Sequence, residues 1–424
     1  MVGIFTAPPG ALRALGTRPQ GQRSGHRIFV SLPRMSTYVF LNVSAHGHIN
    51  PTLPIVAELV KRGHKVYYLV NESFHSTIKN LGGIPVTVPR IQRRQNAEPP
   101  GDKELQLLPF LMARESPRIV PEVIAVLRNL NPDCIVFNTM LLWSRLIAQI
   151  LHLPAIGFRP FHAPRKARNV TGPFTDPNMS AVAAAAGQAL SELTGSFGIS
   201  SMTLQELVSD VEDLTLVFMP RAFQAEAEQF DKRFLFVGPS FIEPSPATWP
   251  LAGTGKSSSK NVYISLGTLR NNDPDFYRKC FSAFQEPGWR VLVSVGDKID
   301  QQTLGPIPEN FLIRSSVPQV ALLPEVDVFI SHGGLNSTME SLYYGVPLVI
   351  LPSIREQMTT AERVRDLQLG IILDRATVTA EELRAASGKV MQSESIRHAI
   401  LDMKAQARDA GGYMRAVDAI VDHN

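Results

Sequence analysis

Two doubly wound α/β sheets of parallel strands are what this sequence predicts, on three observations. Short apolar runs alternate with helical patterns from Thr37 to Val237. The same alternation restarts at Asn261 and continues to the end of the chain. Between them lies Gly238–Lys260, rich in Pro, Ser and Gly and linker-like in character. A chain of 424 residues is long enough for two such domains, each with its own core. They are expected at about 35–240 and 258–424, joined by a linker at 241–257.

Thr37–Val43 reads as the first strand. The turn Ala45-His46-Gly47-His48-Ile49-Asn50-Pro51 leads into a helix running to about Arg62, with Val56, Leu59 and Val60 on its apolar face and Gly63 as its stop. Lys65–Val70 is a second strand, Asn71–Leu81 a helix, and Ile84–Val88 a third strand. Residues 91–118 are polar and irregular in part, ahead of a helix through Ile119–Leu130. Asp133–Asn138 is a strand, Leu141–Leu151 a helix, and a further strand opens at Leu153. Residues 159–205 read as loops and then an Ala-rich helix from Met179; Leu214–Phe218 and Phe234–Val237 complete the sheet. No GxGxxG follows the first strand, so the dinucleotide fingerprint is absent. Ligands of such sheets bind beyond the strand C-termini, where His46 and His48 both lie. Either is a candidate general base, because imidazole titrates near neutral pH; the competing role is helix capping.

In the second half, Asn261–Ser265, Arg290–Val295, Phe311–Arg314, Val328–Ile330 and Leu348–Leu351 are strands with helices between them. Asp273 reads as a helix cap with Pro274 at the first helical position, in preference to a metal-binding pair with Asp275. Gly253-Thr254-Gly255-Lys256-Ser257 is no phosphate loop: Pro250 stands where the opening glycine belongs, and no strand leads into it. A helix through Ser395–Arg408, then Gly411-Gly412, then a last helix to Asp422 close the chain.

The stretch most informative about chemistry is VFISHGGLNSTMESLYYG, residues 328–345. An apolar strand turns through Ser331-His332-Gly333-Gly334 into a helix starting near Asn336. Paired glycines let backbone approach a ligand, and the unpaired N–H groups and dipole of a helix start suit phosphate. His332, Asn336, Ser337 and Thr338 add side-chain donors, while Glu340, one turn on, suits a ribose hydroxyl. The pattern fits a nucleotide diphosphate pocket; the competing reading is a glycine-bearing turn capped by Asn336.

With Ser316-Val317-Pro318-Gln319 before it and Gly345-Val346-Pro347 and Glu356-Gln357 after it, this segment resembles the donor-binding signature of nucleotide-sugar glycosyltransferases of the GT-B fold. The likeness is greatest to the macrolide glycosyltransferase-like branch of the UDP-glycosyltransferase superfamily, and a weaker likeness covers nearly all of the chain from Met35. The resemblance implies two Rossmann-like domains facing a cleft, the acceptor in the first and the nucleotide sugar in the second, with the terminal helix crossing back. It implies an inverting transfer of a hexose, glucose, from a UDP-sugar to a hydroxyl of a small phenolic, flavonoid or polyketide acceptor. His48, followed by Ile49-Asn50-Pro51, matches the base. Thr268, His332, Gly334, Asn336 and Ser337 match the diphosphate site, and Glu340 the ribose contact. Val317 and Gln319 match contacts to the nucleotide base, and Glu356 and Gln357 those to the sugar hydroxyls. No metal or other cofactor is implied. Residues 159–205 read as an acceptor wall, with Phe158, Phe161 and Phe174 as candidate lining; the competing reading, stronger for any single one, is an ordinary core aromatic.

Two positions depart from the family pattern. Ser316 stands where a tryptophan often stacks on uracil, leaving UDP and dTDP both open. Asn138 stands where an aspartate usually holds the base histidine; an amide orients but carries no charge. In the Ser-His-Asp protease triad the same replacement costs about 10⁴ in rate. We expect Asn138 to bias the enzyme toward acidic hydroxyls such as phenols, whose pKa is about 10. The competing readings on this fold are a non-catalytic, nucleotide-binding partner of another transferase, and a UDP-sugar epimerase.

Composition excludes other classes. The net charge of +4 arises in residues 1–34, which hold five arginines and no acid; the remainder carries 37 of the 42 basic residues against 38 acidic ones. That near-neutral body offers no nucleic-acid footprint. The Arg-rich, acid-free tail has the composition of a mitochondrial-type transit segment; it is read in preference as an extension ahead of a start at Met35 or as disorder, because its prolines and glycines interrupt any amphipathic helix. No apolar run approaches the roughly 20 residues of a membrane helix. Cys134 and Cys280 read as buried free thiols, so nothing argues for an oxidising compartment and a cytoplasmic protein is expected.

Overall fold

The computed structural model describes residues 35–87, 102–163, 177–209, 211–245, 259–268 and 270–423. The expectations for residues 1–34, for Phe174 and for Gly253–Ser257 lie outside them. Residues 35–424 form one compact unit.

In the first domain the order is β1 (Thr37–Leu41), α1 (His46–Ile49), α2 (Leu53–Lys61), β2 (Lys65–Leu69), α3 (His75–Asn80) and β3 (Ile84–Val86), then α4 (Asp102–Leu130), β4 (Cys134–Asn138), α5 (Trp143–Leu151) and β5 (Ala155–Arg159). It continues with α6 (Pro177–Phe197), α7 (Leu204–Ser209), β6 (Leu214–Val217) and β7 (Phe234–Phe236). The second domain runs β8 (Lys260–Ser265), α8 (Pro274–Phe284), β9 (Trp289–Ser294), β10 (Phe311–Arg314), α9 (Gln319–Leu322), β11 (Val328–Ser331), α10 (Leu335–Tyr344), β12 (Leu348–Ile350), α11 (Arg355–Asp366) and β13 (Gly370–Ile372). Helices α12 (Ala380–Gln392), α13 (Glu394–Asp409) and α14 (Gly412–His423) finish it.

Both sheets are parallel throughout, ordered β3-β2-β1-β4-β5-β6-β7 and β10-β9-β8-β11-β12-β13. Residues alternate between the two faces of each strand, so a parallel sheet needs helices on both. In the first sheet Val39, Leu41, Ile135 and Phe137 pack with Val123, Leu127, Leu146 and Leu190 of α4, α5 and α6. Tyr38, Phe40, Val136 and Phe158 pack on the opposite face with Val56 and Leu59 of α2 and with Ala416, Val417 and Ile420 of α14. The terminal helix therefore does return to the first domain, and Arg62, at the C-cap of α2, pairs with Asp418 of α14 at 2.7 Å. A cluster shared by Val217, Phe223 and Phe236 with the second-domain core continues the packing between domains.

Each strand order reverses once, between β1 and β4 and between β8 and β11. At these two positions the connecting segments part to opposite faces and leave a crevice. The candidate residues fall at both.

Three features differ from expectation. Helix α4 begins at Asp102, well before Ile119, and includes Pro109, Pro117 and Pro121. Each proline removes a backbone donor, so the sequence resembles loop; packing against α6 and the sheet offsets the loss. The helix expected after His46 is broken into α1, a 3₁₀ turn at Asn50–Thr52 and α2. Edge strand β13 is only three residues long and escapes an apolar-run reading. Asp273 does cap α8, accepting from the Phe276 N–H at 3.0 Å, and is also paired with Arg375. Cys134 and Cys280 are buried and unpaired.

Candidate active site

At the first reversal, β1 ends at Leu41 and the next side chain, Asn42, is buried. Its Nδ2 donates to the His48 carbonyl at 2.9 Å and to the Tyr68 hydroxyl at 2.6 Å; its Oδ1 accepts from the Val43 N–H at 2.8 Å. The neighbouring strand β4 ends at Asn138, also fully buried. Asn138 Nδ2 lies 2.9 Å from Asn42 Oδ1 and 2.8 Å from His48 Nδ1, and its Oδ1 accepts from the Met140 N–H at 3.0 Å. Thr52 joins the network through Tyr68 and the Ile49 carbonyl. The amides of Asn42 and Asn138 each both donate and accept, and such networks hold one geometry. His48 is thereby fixed at the mouth of the crevice, edge-on to Phe161 at 6.3 Å between ring centres. Burial lowers its pKa to about 4, so it is neutral at pH 7. His46 lies on the same turn but packs against Phe74 and is exposed.

At the second reversal, β8 and β11 are paired up to Ser265 and Ser331, so the turns that follow them lie side by side. Gly267, at φ +78°, would with a Cβ approach the His332 ring to 2.6 Å; a Cβ on Gly334 would come closer still to its Nε2. The ring is thus seated between two glycine backbones, which no other residue allows. Burial lowers the His332 pKa to about 4 as well. Thr268 is exposed on the β8 turn. Gly334, not Asn336, is the N-cap of α10, and no side chain caps that helix. Its first N–H groups are left to a ligand and its dipole favours an anion there.

The helix carries the remaining donors. Ser337 and Glu340 face Gln319 of α9, whose Nε2 reaches Ser337 Oγ at 3.2 Å and Glu340 Oε2 at 2.6 Å, while its Oε1 accepts from the Tyr263 hydroxyl at 3.1 Å. Burial raises the Glu340 pKa to about 7. Val317 packs, partly buried, on the second-domain core. Glu356 is exposed at the first turn of α11. Gln357 is buried, and its Oε1 accepts from the Ser353 N–H at 2.8 Å and hydroxyl at 3.0 Å, so its amide nitrogen is the group left over.

The two half-sites are joined. Asn336 Nδ2 donates to the Gly47 carbonyl at 2.8 Å, linking the first turn of α10 to the turn that carries His48. The structure therefore groups His48 with Asn138, His332 with the Thr268 turn and Gly334, and Gln319 with Ser337 and Glu340. Asn42, Tyr68 and the Met140 N–H were not picked out by the sequence reading. The available signal was a polar residue, Asn42, directly after an apolar strand at the reversal point. Two concavities away from these positions, one of about 960 Å³ beside Arg145 and Glu212 and one of about 620 Å³ beside Asp275 and Arg278, contain none of the candidate residues. Among the described residues no cluster of His, Cys, Asp and Glu is arranged to hold a metal, and no helix is long and apolar enough to cross a membrane.

Comparison with known proteins agrees with this fold. Residues 290–410 match the family model for the C-terminal domain of erythromycin biosynthesis protein CIII-like proteins. Over 383 residues the chain is 34% identical to the NDP-glycosyltransferase YjiC of Bacillus subtilis, covering 90% of this chain and 95% of that protein. It is 32% identical to the demethyllactenocin mycarosyltransferase of Streptomyces fradiae, covering 91% and 86%. Among solved structures, the glycosyltransferase of kitacinnamycin superposes with a TM-score of 0.80 at 28% identity, over 92% of this chain and 100% of that one. CalG4, the calicheamicin glycosyltransferase, superposes with a TM-score of 0.79 at 28% identity, over 92% and 98%.

Proposed function

The chain belongs to the UDP-glycosyltransferase superfamily, as a GT-B glycosyltransferase of the macrolide and NDP-glycosyltransferase type, and from this premise we propose that it moves glucose from UDP-glucose to a hydroxyl of a small aglycone. The acceptor class is phenolic, flavonoid or polyketide, and the product is the inverted β-glycoside. The observation that carries this reading is the Asn336–Gly47 hydrogen bond, which brings the anion-seeking start of α10 against the turn of His48. A nucleophile beside His48 and a diphosphate at α10 would then lie on opposite sides of one anomeric carbon, as direct displacement requires.

In this reading the α10 N–H groups, His332, Asn336, Ser337 and Thr268 receive the charge that develops on the leaving diphosphate. His332 serves as a neutral N–H donor. Glu340 accepts from a ribose hydroxyl, Gln319 and the Val317 backbone meet the base, and Glu356 with the Gln357 amide meets the sugar. The positive helix end takes the part that a divalent ion plays elsewhere, so a chelator should leave turnover unchanged. The reaction belongs in the cytoplasm, because Asn336-Ser337-Thr338 is a glycan acceptor sequence and a glycan there would fill the donor site.

The test is a screen of UDP- and dTDP-sugars against phenolic, flavonoid and macrolide acceptors, read by product mass. The reading predicts a hexosyl adduct with UDP-glucose. Release of epimerised or free sugar without acceptor, or no turnover with UDP still bound, would favour the epimerase or the auxiliary protein.

A further inference from the structure

Asn138 meets His48 with its amide nitrogen, and the surrounding backbone leaves it no choice. The Met140 N–H can only donate, so the Asn138 atom 3.0 Å from it is the oxygen. The Asn42 atom facing Asn138 is likewise an oxygen, because it accepts from the Val43 N–H at 2.8 Å while the other end of that amide donates to the His48 carbonyl. Turning Asn138 over would set its NH₂ against one N–H and its oxygen against another oxygen. Its nitrogen therefore donates to Asn42 Oδ1 at 2.9 Å and to His48 Nδ1 at 2.8 Å. A ring nitrogen that accepts carries no proton, so the single proton of neutral His48 is on Nε2.

That placement inverts the role of the histidine. A base needs its lone pair on the nitrogen that meets the acceptor, and here that nitrogen bears hydrogen. Among the described residues no charged group acts on His48 to correct this. The side chains around His48 are Asn138 from β4, Asn42 after β1 with Tyr68 of β2 behind it, Phe161 after β5, and His46 on its own turn, with Asn336 of α10 at the Gly47 carbonyl. None is a carboxylate or a fixed cation.

On the glycosyl-transfer reading, we propose that Asn138 and Asn42 are positioning residues that hold His48 as the Nε2–H tautomer, so that His48 donates a hydrogen bond to an acceptor oxygen that has already ionised. The acceptors are then hydroxyls acidic enough to lose their proton to solvent, phenols foremost. The phenolate oxygen forms its bond to the anomeric carbon as the carbon–oxygen bond to the diphosphate breaks. The electron pair leaves with the nucleotide, and His48 keeps its proton throughout. An aspartate at 138 would accept from Nδ1–H instead, freeing the Nε2 lone pair for a general base able to activate aliphatic alcohols.

Long-range ¹H–¹⁵N spectra of the histidine-labelled protein at pH 7 read the tautomer directly. The expected result is a protonated Nε2 and a bare Nδ1 for His48, with the proton moved to Nδ1 in Asn138→Asp. A protonated Nδ1 in the unsubstituted protein overturns the proposal, whether or not the variant folds. Turnover over a series of phenols of graded pKa plus an aliphatic alcohol gives the second readout. The unsubstituted enzyme should slow steeply as acceptor pKa rises. Asn138→Asp should raise alcohol turnover by about 10²-fold, the lower end for a general base, while the most acidic phenol changes little. Equal gains on both, or no dependence on acceptor pKa, overturn it. Absence of any glycoside with any pairing overturns the transfer reading instead, and the spectra still decide the tautomer.

Discussion

At the scale of single residues, the site depends on two histidines, His48 held by the Asn138 amide and His332 seated between two glycine backbones. His48→Ala should lower kcat by about 10²-fold or more while UDP affinity, measured by calorimetry, stays within twofold, because the nucleotide cradle lies on the other domain. Gly267→Ala forces a side chain into a left-handed backbone and into the His332 ring. It should raise the KM for the nucleotide sugar about tenfold with little loss of acceptor affinity, as steady-state kinetics would show. Ser337 and Glu340 were legible from their places at a helix start and Gln319 through the family resemblance, and the structure brings the three together. Asn42 was not, because its importance lies in contacts with residues 96 and 26 positions away, which no local pattern records. The role of Asn336 was half legible: it stands where a cap was expected, but its amide spans the two domains.

At the scale of elements, strand–helix alternation predicted both sheets, because buried parallel strands are continuous apolar runs bounded by turns. It failed for α4, where three prolines imitate a loop, and for β13, whose three residues give no periodicity. Helix α11, which carries Glu356 and Gln357, also ties the two domains together. Arg363 donates to the carbonyls of Ala222 and Phe223 at 2.7 and 2.8 Å, fastening the second domain to the segment after β6. Arg363→Ala leaves those carbonyls without their charged donor and should cost about 2 kcal/mol in equilibrium urea unfolding, the usual size for a hydrogen bond to a charged group. The substitution should leave the UDP-binding cradle intact.

At the scale of the whole molecule, three histidines set an acid limit. His48, His162 and His332 each have a pKa lowered to about 4 by burial, against 6.5 in the unfolded chain. Between those values the unfolded chain binds protons that the folded one refuses, so stability is full above pH 6.5 and falls as pH drops toward 4. Glu340 acts in reverse: with its pKa raised to about 7 from 4.5, its contribution is present below 4.5 and lost as pH rises through 7. Melting temperatures across pH 4 to 8 should fall below 6.5. They should fall less in His162→Gln, which removes the titration while an amide can still reach Thr360. His162 also lies at the domain junction, so acid should loosen the cleft as well as the fold.

The central claim is that a nucleotide diphosphate is received at the start of α10, facing His48. A crystal structure with UDP bound tests it most directly. The account predicts the diphosphate against the N–H groups of residues 335–337 and the His332 ring, with the ribose hydroxyls at Glu340. UDP seated elsewhere, with that helix start empty, would contradict it.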